Sequence, residues 1–294
     1  MSKELISSFT TTIEKYEQKN LVELLEGSSM TASKFKQIVI SELKRSPKLQ
    51  EVFLKNPASL FASILHCAEI GLNPSQMIGE FYFIPYKDTI TAVLGYKGLL
   101  TLLMRSDKVK KIWCEIVYEG DDFEYELGLE PKLVHAPNHS SIRNSSTVKY
   151  IYACAKINDE VIFKVMAKQE IQQIANMAKY KNDLYFNDAK DPEQWMAKKT
   201  VLKQLAKLMP RDDDRLKKAV SMDDNIEGGG YLIMDENDTV KLVQGTVIKE
   251  KSNIYQKLLQ NNGTSISTLT GVTAHNGTNS LPNISTTENI VLDL

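Results

Sequence analysis

Two basic segments hold the residue types that could bind a polyanion. Residues 86–111 carry six basic side chains against two acids, and residues 194–210 contain no acid. Lysine and arginine attract phosphates and aromatic rings stack on bases, so the combination is typical of a groove that follows a phosphate backbone. The candidate contacts are Tyr86, Lys87, Tyr96, Lys97, Arg105, Lys108, Lys110, Lys111 and Trp113 in the first segment, and Lys198, Lys199, Lys207 and Arg211 in or directly after the second.

The lysines of the second segment are spaced for one face of a helix. Lys199, Lys203 and Lys207 follow each other at intervals of four residues, and no glutamate lies four residues from any of them. We therefore expect this stripe to be uncompensated and open to phosphates. The alternative is an ordinary solvated helix face, and for each aromatic residue a place in the core is about as good an interpretation as contact with nucleic acid.

Other chemistries find less support in the residues. No Gly-x4-Gly-Lys-Ser/Thr segment is present to hold nucleotide phosphates, so nucleotide hydrolysis is not expected. None of the four histidines neighbours a serine or cysteine in a recognisable nucleophile motif. His66 and Cys67 are adjacent on an apolar helix, which favours a core histidine over a catalytic pair. Pro137 lies between His135 and His139 and excludes helical metal-ligand spacing. Residues 212–214 are three aspartates, which a metal-dependent nuclease could use. Their position between Arg211 and Arg215 favours an exposed cap, and we predict no catalytic residue, metal or cofactor.

Length and composition bound the class of protein. The 294 residues are 42% hydrophobic and 25% charged, which suits one large domain or two modest ones. No apolar run approaches the roughly 20 residues that a membrane span needs. The first residues do not form a signal peptide and the three cysteines lie far apart, so a cytoplasmic protein is expected. The net charge of −1 conceals an acidic end, because residues 221–294 carry nine acids and four lysines.

Hydrophobic periodicity indicates the elements that must position the basic residues. It predicts an α+β fold with an antiparallel β-sheet core and flanking helices. The predicted helices are 4–25, 31–44, 58–70, 99–106, 168–178 and 192–209, with Pro47 and Pro210 as stop signals and Asp191 as an N-cap. The predicted strands are 80–86, 89–94, 111–118, 123–127, 148–157 and 161–166, with a turn at 119–122 that joins the third to the fourth.

The same patterns divide the chain into four segments. Residues 1–75 are predicted to form a helical N-terminal lobe, and residues 76–220 a core of sheet plus long basic helix. Residues 221–260 are predicted to be a linker around the glycines at 228–230 and a small acidic segment, with a short helix at 254–260. Residues 261–294 are predicted to be a disordered tail, because 19 of the 27 residues at 261–287 are Ser, Thr, Asn or Gly.

Six short fragments share their order and spacing with a known family. They are residues 70–74 (Ile-Gly-Leu-Asn-Pro), 83–86 (Phe-Ile-Pro-Tyr), 94–99 (Leu-Gly-Tyr-Lys-Gly-Leu), 119–123 (Glu-Gly-Asp-Asp-Phe), 150–153 (Tyr-Ile-Tyr-Ala) and 196–201 (Met-Ala-Lys-Lys-Thr-Val). In these fragments the sequence resembles the RecT family of phage and prophage single-strand annealing proteins. The resemblance covers roughly residues 30–210.

The resemblance implies a function and a set of partners. Proteins of this family bind single-stranded DNA and pair it with a complementary strand in homologous recombination, without ATP hydrolysis, as rings or helical filaments. The implied partners are single-stranded DNA, the annealed duplex and further copies of the chain. No membrane partner is expected. A phage exonuclease and a host single-strand-binding protein are implied as contacts of the C-terminal region. Two alternatives stay open: a protein that protects single strands without annealing them and, with less support, a metal-dependent nuclease.

Overall fold

The computed structural model describes residues 3–16, 20–178, 183–209, 213–234 and 239–243, and over these residues it confirms the α+β class with antiparallel sheets. The helices are α1 (Lys3–Tyr16), α2 (Val22–Leu24), α3 (Ala32–Arg45), α4 (Pro47–Lys55), α5 (Pro57–Glu69), α6 (Tyr96–Leu103), α7 (Lys168–Met177), α8 (Trp195–Ala206) and α9 (Asp214–Glu227). The strands are β1 (Phe81–Tyr86), β2 (Thr89–Leu94), β3 (Val109–Tyr118), β4 (Asp122–Glu126), β5 (Lys132–Ala136), β6 (Val148–Ile157), β7 (Glu160–Ala167), β8 (Tyr231–Met234) and β9 (Val240–Val243).

Capping residues set the starts of the N-terminal helices. Thr31 Oγ1 accepts a hydrogen bond from Lys34 N at 3.3 Å and begins α3, as the sequence predicts. Pro47 follows the end of α3, but it also opens α4, a helix that the sequence analysis missed. Proline fits the first turn of a helix because the amide proton that it lacks would have no partner there. Of the helix predicted over residues 4–25, the structure describes α1 up to Tyr16 and a π-helical turn at residues 20–21 that leads directly into α2, whereas residues 17–19 lie outside the described ranges.

A three-stranded antiparallel sheet lies beside the helices, with β6 between β3 and β7. Its register aligns Trp113 with Cys154, and Cys154 with Phe163. Side chains alternate between the two faces of a strand. Ile151 and Ala153 therefore join the main core under α8, whereas Cys154 belongs to a second, aromatic cluster on the opposite face.

Strand pairing in the middle of the chain differs from the prediction. The turn after Tyr118 was expected to fold β4 back onto β3, and this is wrong: β4 pairs with β5, a strand that the sequence analysis missed. The partner of β3 is β6, about 30 residues further along the chain. The predicted hairpins over β1–β2 and β6–β7 are confirmed.

One cluster of buried side chains connects the helical and sheet segments. The centre of this cluster is α5, whose residues are buried at every position from Pro57 to Ala68. The cluster extends from Phe9 to Met234, so it is continuous across residues 75–76 and 220–221. The functional division of the chain at these positions stays a prediction. Within the described ranges, no helix is long and apolar enough to cross a bilayer.

The chain after residue 213 adds structure that the sequence analysis did not predict. Within residues 221–260, which were expected to be a linker and a small acidic segment, residues 221–227 belong to α9, and the glycines at 228–230 lead into β8, in which Leu232 is buried against the core. Strand β8 pairs with β9 and lies beside α5 and β2. The predicted helix at 254–260, the stop signal at Pro210 and the predicted disorder of residues 261–294 fall outside the described residues.

Candidate nucleic-acid interface

Two glycines fix the start of α6 against the loop before β1. A Cβ atom added to Gly95 would lie 2.1 Å from Gly79 O, and one added to Gly98 would lie 2.1 Å from Glu80 O. Such distances leave no room for a side chain, so both positions require glycine. The close approach buries one side of the helix and leaves Lys97 exposed and Tyr96 half-buried on the other.

The first turn of α8 lies beside Tyr96. The rings of Tyr96 and Trp195 have centroids 5.0 Å apart, and Lys198 Nζ lies 4.9 Å from the centroid of a Trp195 ring that remains 40% exposed. Both contacts fall in the range of aromatic and cation–π interactions. We refer to Tyr96, Lys97, Trp195 and Lys198 as the aromatic–basic cluster.

The start of α8 differs from the prediction. A helix from residue 192 with Asp191 as N-cap was expected, but the N-cap is Gln194, whose backbone has a φ of 55°. The buried Asp191 carboxylate accepts a hydrogen bond from Met196 N at 2.9 Å and still serves the first turn of the helix. This arrangement turns Trp195 outward, toward Tyr96.

Strand β3 places further basic residues next to the cluster. Cys114 Sγ lies 3.8 Å from Lys198 O, so the middle of β3 contacts the first turn of α8. Because β3 is an edge strand, its start is open to solvent. Lys108, Lys110 and Lys111 are exposed there, and Lys111 Nζ lies 5.1 Å from the centroid of the Trp113 ring.

Two buried groups at the cluster, the Tyr96 hydroxyl and the neighbouring Cys114 thiol, are held in their neutral forms. Burial raises the pKa of the Tyr96 hydroxyl, and the nearby Cys114 and Glu115 raise it further. Burial likewise raises the pKa of the Cys114 thiol. The positive charge beside the two rings therefore comes from lysine alone.

The lysine stripe on α8 is compensated by another helix, which corrects the sequence interpretation. Lys199 Nζ lies 2.8 Å from Asp223 Oδ1, and Lys203 Nζ lies 3.0 Å from Asp223 Oδ2. Both lysine side chains are only 2% exposed. Lys207 Nζ lies 3.0 Å from Asp224 Oδ2. The acids come from α9, so no pattern within α8 could reveal them. Lys199 and Lys207 are therefore not part of the proposed interface.

Arg105 also has a structural role in this fold. Its guanidinium donates hydrogen bonds to Ile70 O at 2.7 Å and to Gly71 O at 2.5 Å. These two carbonyls lie at the C-terminal end of α5, where backbone oxygens lack helical partners. Burial lowers the pKa of Arg105, and the neighbouring charge of Arg215 lowers it further. Arg105 therefore braces α5 against α6.

The remaining candidates lie elsewhere. Tyr86 and Lys87 are exposed where β1 turns into β2, with Lys87 Nζ 5.7 Å from the centroid of the Tyr86 ring. Arg211 falls outside the described residues. Trp195 was not predicted as a contact, although a tryptophan three residues before a lysine on one helix was the available signal.

The aspartates at 212–214 have structural partners where they are described. The Asp213 side chain accepts a hydrogen bond from Arg215 N at 2.8 Å and caps α9, and Asp214 Oδ1 lies 2.9 Å from Lys217 Nζ. Asp212 is outside the described ranges. Among the residues that the structure describes, no three His, Cys, Asp or Glu side chains form a group that could hold a metal ion.

Comparisons with known proteins identify the family of this chain. The chain is 29% identical to Protein RecT of Escherichia coli (strain K12) over 231 residues, which cover 71% of this chain and 81% of that protein. It is 28% identical to the uncharacterized protein YqaK of Bacillus subtilis (strain 168) over 90 residues, 31% of each chain. The profile of the RecT family matches residues 33–240, more than half of the chain. The protein therefore belongs to the RecT family, whose members bind DNA and recombine it by annealing single strands.

Proposed function

We propose that this protein anneals complementary DNA strands without ATP, as a filament that holds single-stranded DNA on the aromatic–basic cluster and the adjacent start of β3. The observation that carries the proposal is the Trp195 ring, which stays 40% exposed while it contacts the Tyr96 ring on one side and lies within 4.9 Å of Lys198 Nζ. Membership of the RecT family supports binding of single strands and self-association.

The chemistry of each side chain determines the role that we propose for it. Lys97 and Lys198 would contact phosphates beside the rings, and Lys108, Lys110 and Lys111 would extend the path along β3. Trp195 and Tyr96 offer flat surfaces for bases, and a stacked base contributes about 1–3 kcal/mol. Trp113 packs on the face of the sheet opposite α8, so it is a candidate only for a strand that passes around the edge strand β3. Tyr86, Lys87 and Arg211 remain candidates for contacts with the same strand.

Annealing requires that the base edges stay free for a second strand. Hydrogen bonds to phosphates carry no sequence information, whereas amide side chains such as glutamine commonly bind base edges. Gln194, the amide next to Trp195, is buried and donates to Asp188 Oδ1 at 3.2 Å and to Asp191 O at 2.9 Å. Its donors are therefore engaged inside the protein, which supports binding without sequence preference.

An assay with two complementary oligonucleotides, added one after the other without ATP, tests the proposal. We expect pairing that is faster than the spontaneous reaction, with both strands retained by the protein. Slower pairing would instead indicate a protein that protects single strands. Shortened strands after incubation with magnesium would indicate the nuclease alternative. Contacts of the C-terminal region with a phage exonuclease and a host single-strand-binding protein remain predictions.

A further inference from the structure

The β4–β5 hairpin ends in an exposed apolar tip. Leu127 is 75% exposed and Leu129 is fully exposed, on either side of Gly128. Apart from these two leucines, no described residue lies within 4 Å of a Cβ atom placed on Gly128. Two leucines this exposed, separated by one glycine, form an apolar patch of the kind that marks a contact with a partner.

The base of the hairpin is fixed to the sheet by ring contacts and hydrogen bonds. The Phe123 ring stacks on Tyr152 with centroids 5.7 Å apart. His135 Nε2 lies 3.1 Å from Asp121 Oδ2, and His135 Nδ1 lies 3.2 Å from the Tyr152 hydroxyl. The tip therefore projects from a base whose position is set by the sheet.

The charge of the hairpin argues against DNA as its partner. Residues 122–132 carry four acids and one lysine. Glu126 and Glu130 flank the two leucines directly, and they would repel a phosphate backbone. A partner for this tip should combine an apolar recess with basic residues at its rim.

The chain itself contains such a recess, between α8 and α9. The groove has a volume of about 520 Å³ and an apolar floor formed by Ala206, Leu216 and Val220. Lys207 and Lys217 lie at its rim together with Asp224. The lysines pair with Asp224 and Asp214 in exposed ion pairs, which contribute little and can be shared with another acid.

We propose that the Leu127–Leu129 tip of one copy binds the α8–α9 groove of a second copy. The hairpin packs on one face of the β3–β6–β7 sheet and α8 packs on the other, so the two patches lie on opposite sides of the molecule. A contact between different patches is head-to-tail, and repetition extends it into an open chain of subunits. This inference rests on the proposed function, because it supplies the contact on which the filament would grow.

Two variants of the full chain test the contact from both sides. L127S/L129S removes the apolar tip, and K217E/S221E makes the rim of the groove acidic; all four positions are exposed, so both variants should fold. M177S replaces a methionine that is 82% exposed on α7 and serves as the control. The measurement is the mass distribution by light scattering over a concentration series, with and without a single-stranded oligonucleotide.

We expect each variant to dissociate at least tenfold more readily than wild type and the M177S control. An equimolar mixture of the two should give dimers that do not grow, because only one intact tip and one intact groove meet. Wild-type masses for L127S/L129S, or larger assemblies in the mixture, would overturn the inference.

Binding of a fluorescent oligonucleotide too short for two subunits separates this inference from the proposed function. Unchanged binding by L127S/L129S supports a protein–protein role for the tip. Weakened binding with unchanged mass would overturn that role and indicate that the hairpin contacts DNA. If the wild-type protein bound no single-stranded DNA, the proposed function would fail whatever the masses showed.

Discussion

Lys199 Nζ and Asp223 Oδ1 lie 2.8 Å apart in the interior of the protein, and this pair joins α8 to α9. Burial alone would raise the pKa of Asp223, but the charges of Lys199 and Lys203 outweigh it and lower the pKa. Lys198, the preceding residue, lies over the Trp195 ring at the surface. Two adjacent lysines of one helix therefore have different roles, one in stability and one in the proposed interface.

Removal of the shared carboxylate should destabilise the fold. In D223A, Lys199 would keep only Glu227, 3.9 Å away, inside a buried site. The loss of one partner of a buried ion pair costs about 3–5 kcal/mol, and we expect a decrease of that size in the free energy of unfolding, measured in urea. D214A removes an exposed pair with Lys217 and is the control, expected to match wild type. Equal urea midpoints of unfolding for D223A and wild type would show that the ion pairs of Asp223 contribute nothing to stability.

Alanine at Gly98 should destabilise the protein although the residue lies in a helix. Elsewhere in a helix, alanine in place of glycine is favourable by about 1 kcal/mol. Here the new Cβ would lie 2.1 Å from Glu80 O, and we expect a net loss of about 1–3 kcal/mol from the clash. G228A is the matched control, because its nearest contact is 3.3 Å and its φ is −70°. Thermal unfolding of both variants shows whether each substitution stabilises or destabilises the protein. A G98A variant more stable than wild type would contradict the close approach of Gly98 to Glu80 O.

Removal of the Trp195 ring should weaken binding of single-stranded DNA. One stacked base contributes about 1–3 kcal/mol, so we expect W195A to bind about 5- to 150-fold more weakly, with recovery in W195F. The chain contains two tryptophans, so fluorescence can assign the effect. In W113F, where Trp195 alone emits, added single strands should quench the emission. Full emission from W113F bound to DNA would exclude stacking at Trp195.

The anchor of the β4–β5 hairpin should weaken in acid. Burial alone would raise the pKa of Asp121, but hydrogen bonds from Tyr118 N, Asn138 N and His135 and the charge of Arg143 lower it to about 2. A carboxylate with a depressed pKa stabilises the fold above its unfolded pKa of about 4 and loses this effect as pH falls toward 2. Wild type should therefore lose urea stability between pH 4 and pH 2. D121N should be less stable than wild type at pH 7 by about 1–3 kcal/mol, and its free energy of unfolding should decline less between pH 4 and pH 2. The same decline with pH in D121N and wild type would contradict the role of this carboxylate.

Local patterns predicted those elements whose causes are local. Alternating apolar residues marked the β1–β2 and β6–β7 hairpins, and Thr31 marked the start of α3, because caps and pleats depend on neighbours in sequence. Helix α9 was missed because an aspartate such as Asp223 is expected at the surface and not among the buried positions of a helix. Its burial depends on the ion pairs with Lys199 and Lys203 of α8, which the sequence of α9 does not contain. The pairing of β3 with β6 was also missed, because register between distant strands is set by the shared core.

The candidate site was predicted in part for the same reason. Lys97 and Lys198 lie at the surface where the sequence suggested a basic face. Lys199 and Arg105 have the same charge but bind an acid of α9 and the end of α5, contacts that no spacing within one segment encodes. Trp195 became a candidate only when α6 and α8 were seen to meet.

The salt dependence of single-strand binding tests the central claim most directly. The measurement is fluorescence anisotropy of a labelled oligonucleotide over a salt series for wild type, K97A/K198A and the control K34A/K48A, which removes exposed lysines of α3 and α4. Each lost phosphate contact flattens the slope of log affinity against log salt by about 0.7 for a single strand. We expect K97A/K198A to bind more weakly for every sequence with a slope flatter by about 1.4, and the control to match wild type. Wild-type affinity and slope for K97A/K198A would show that the strand lies elsewhere on the protein.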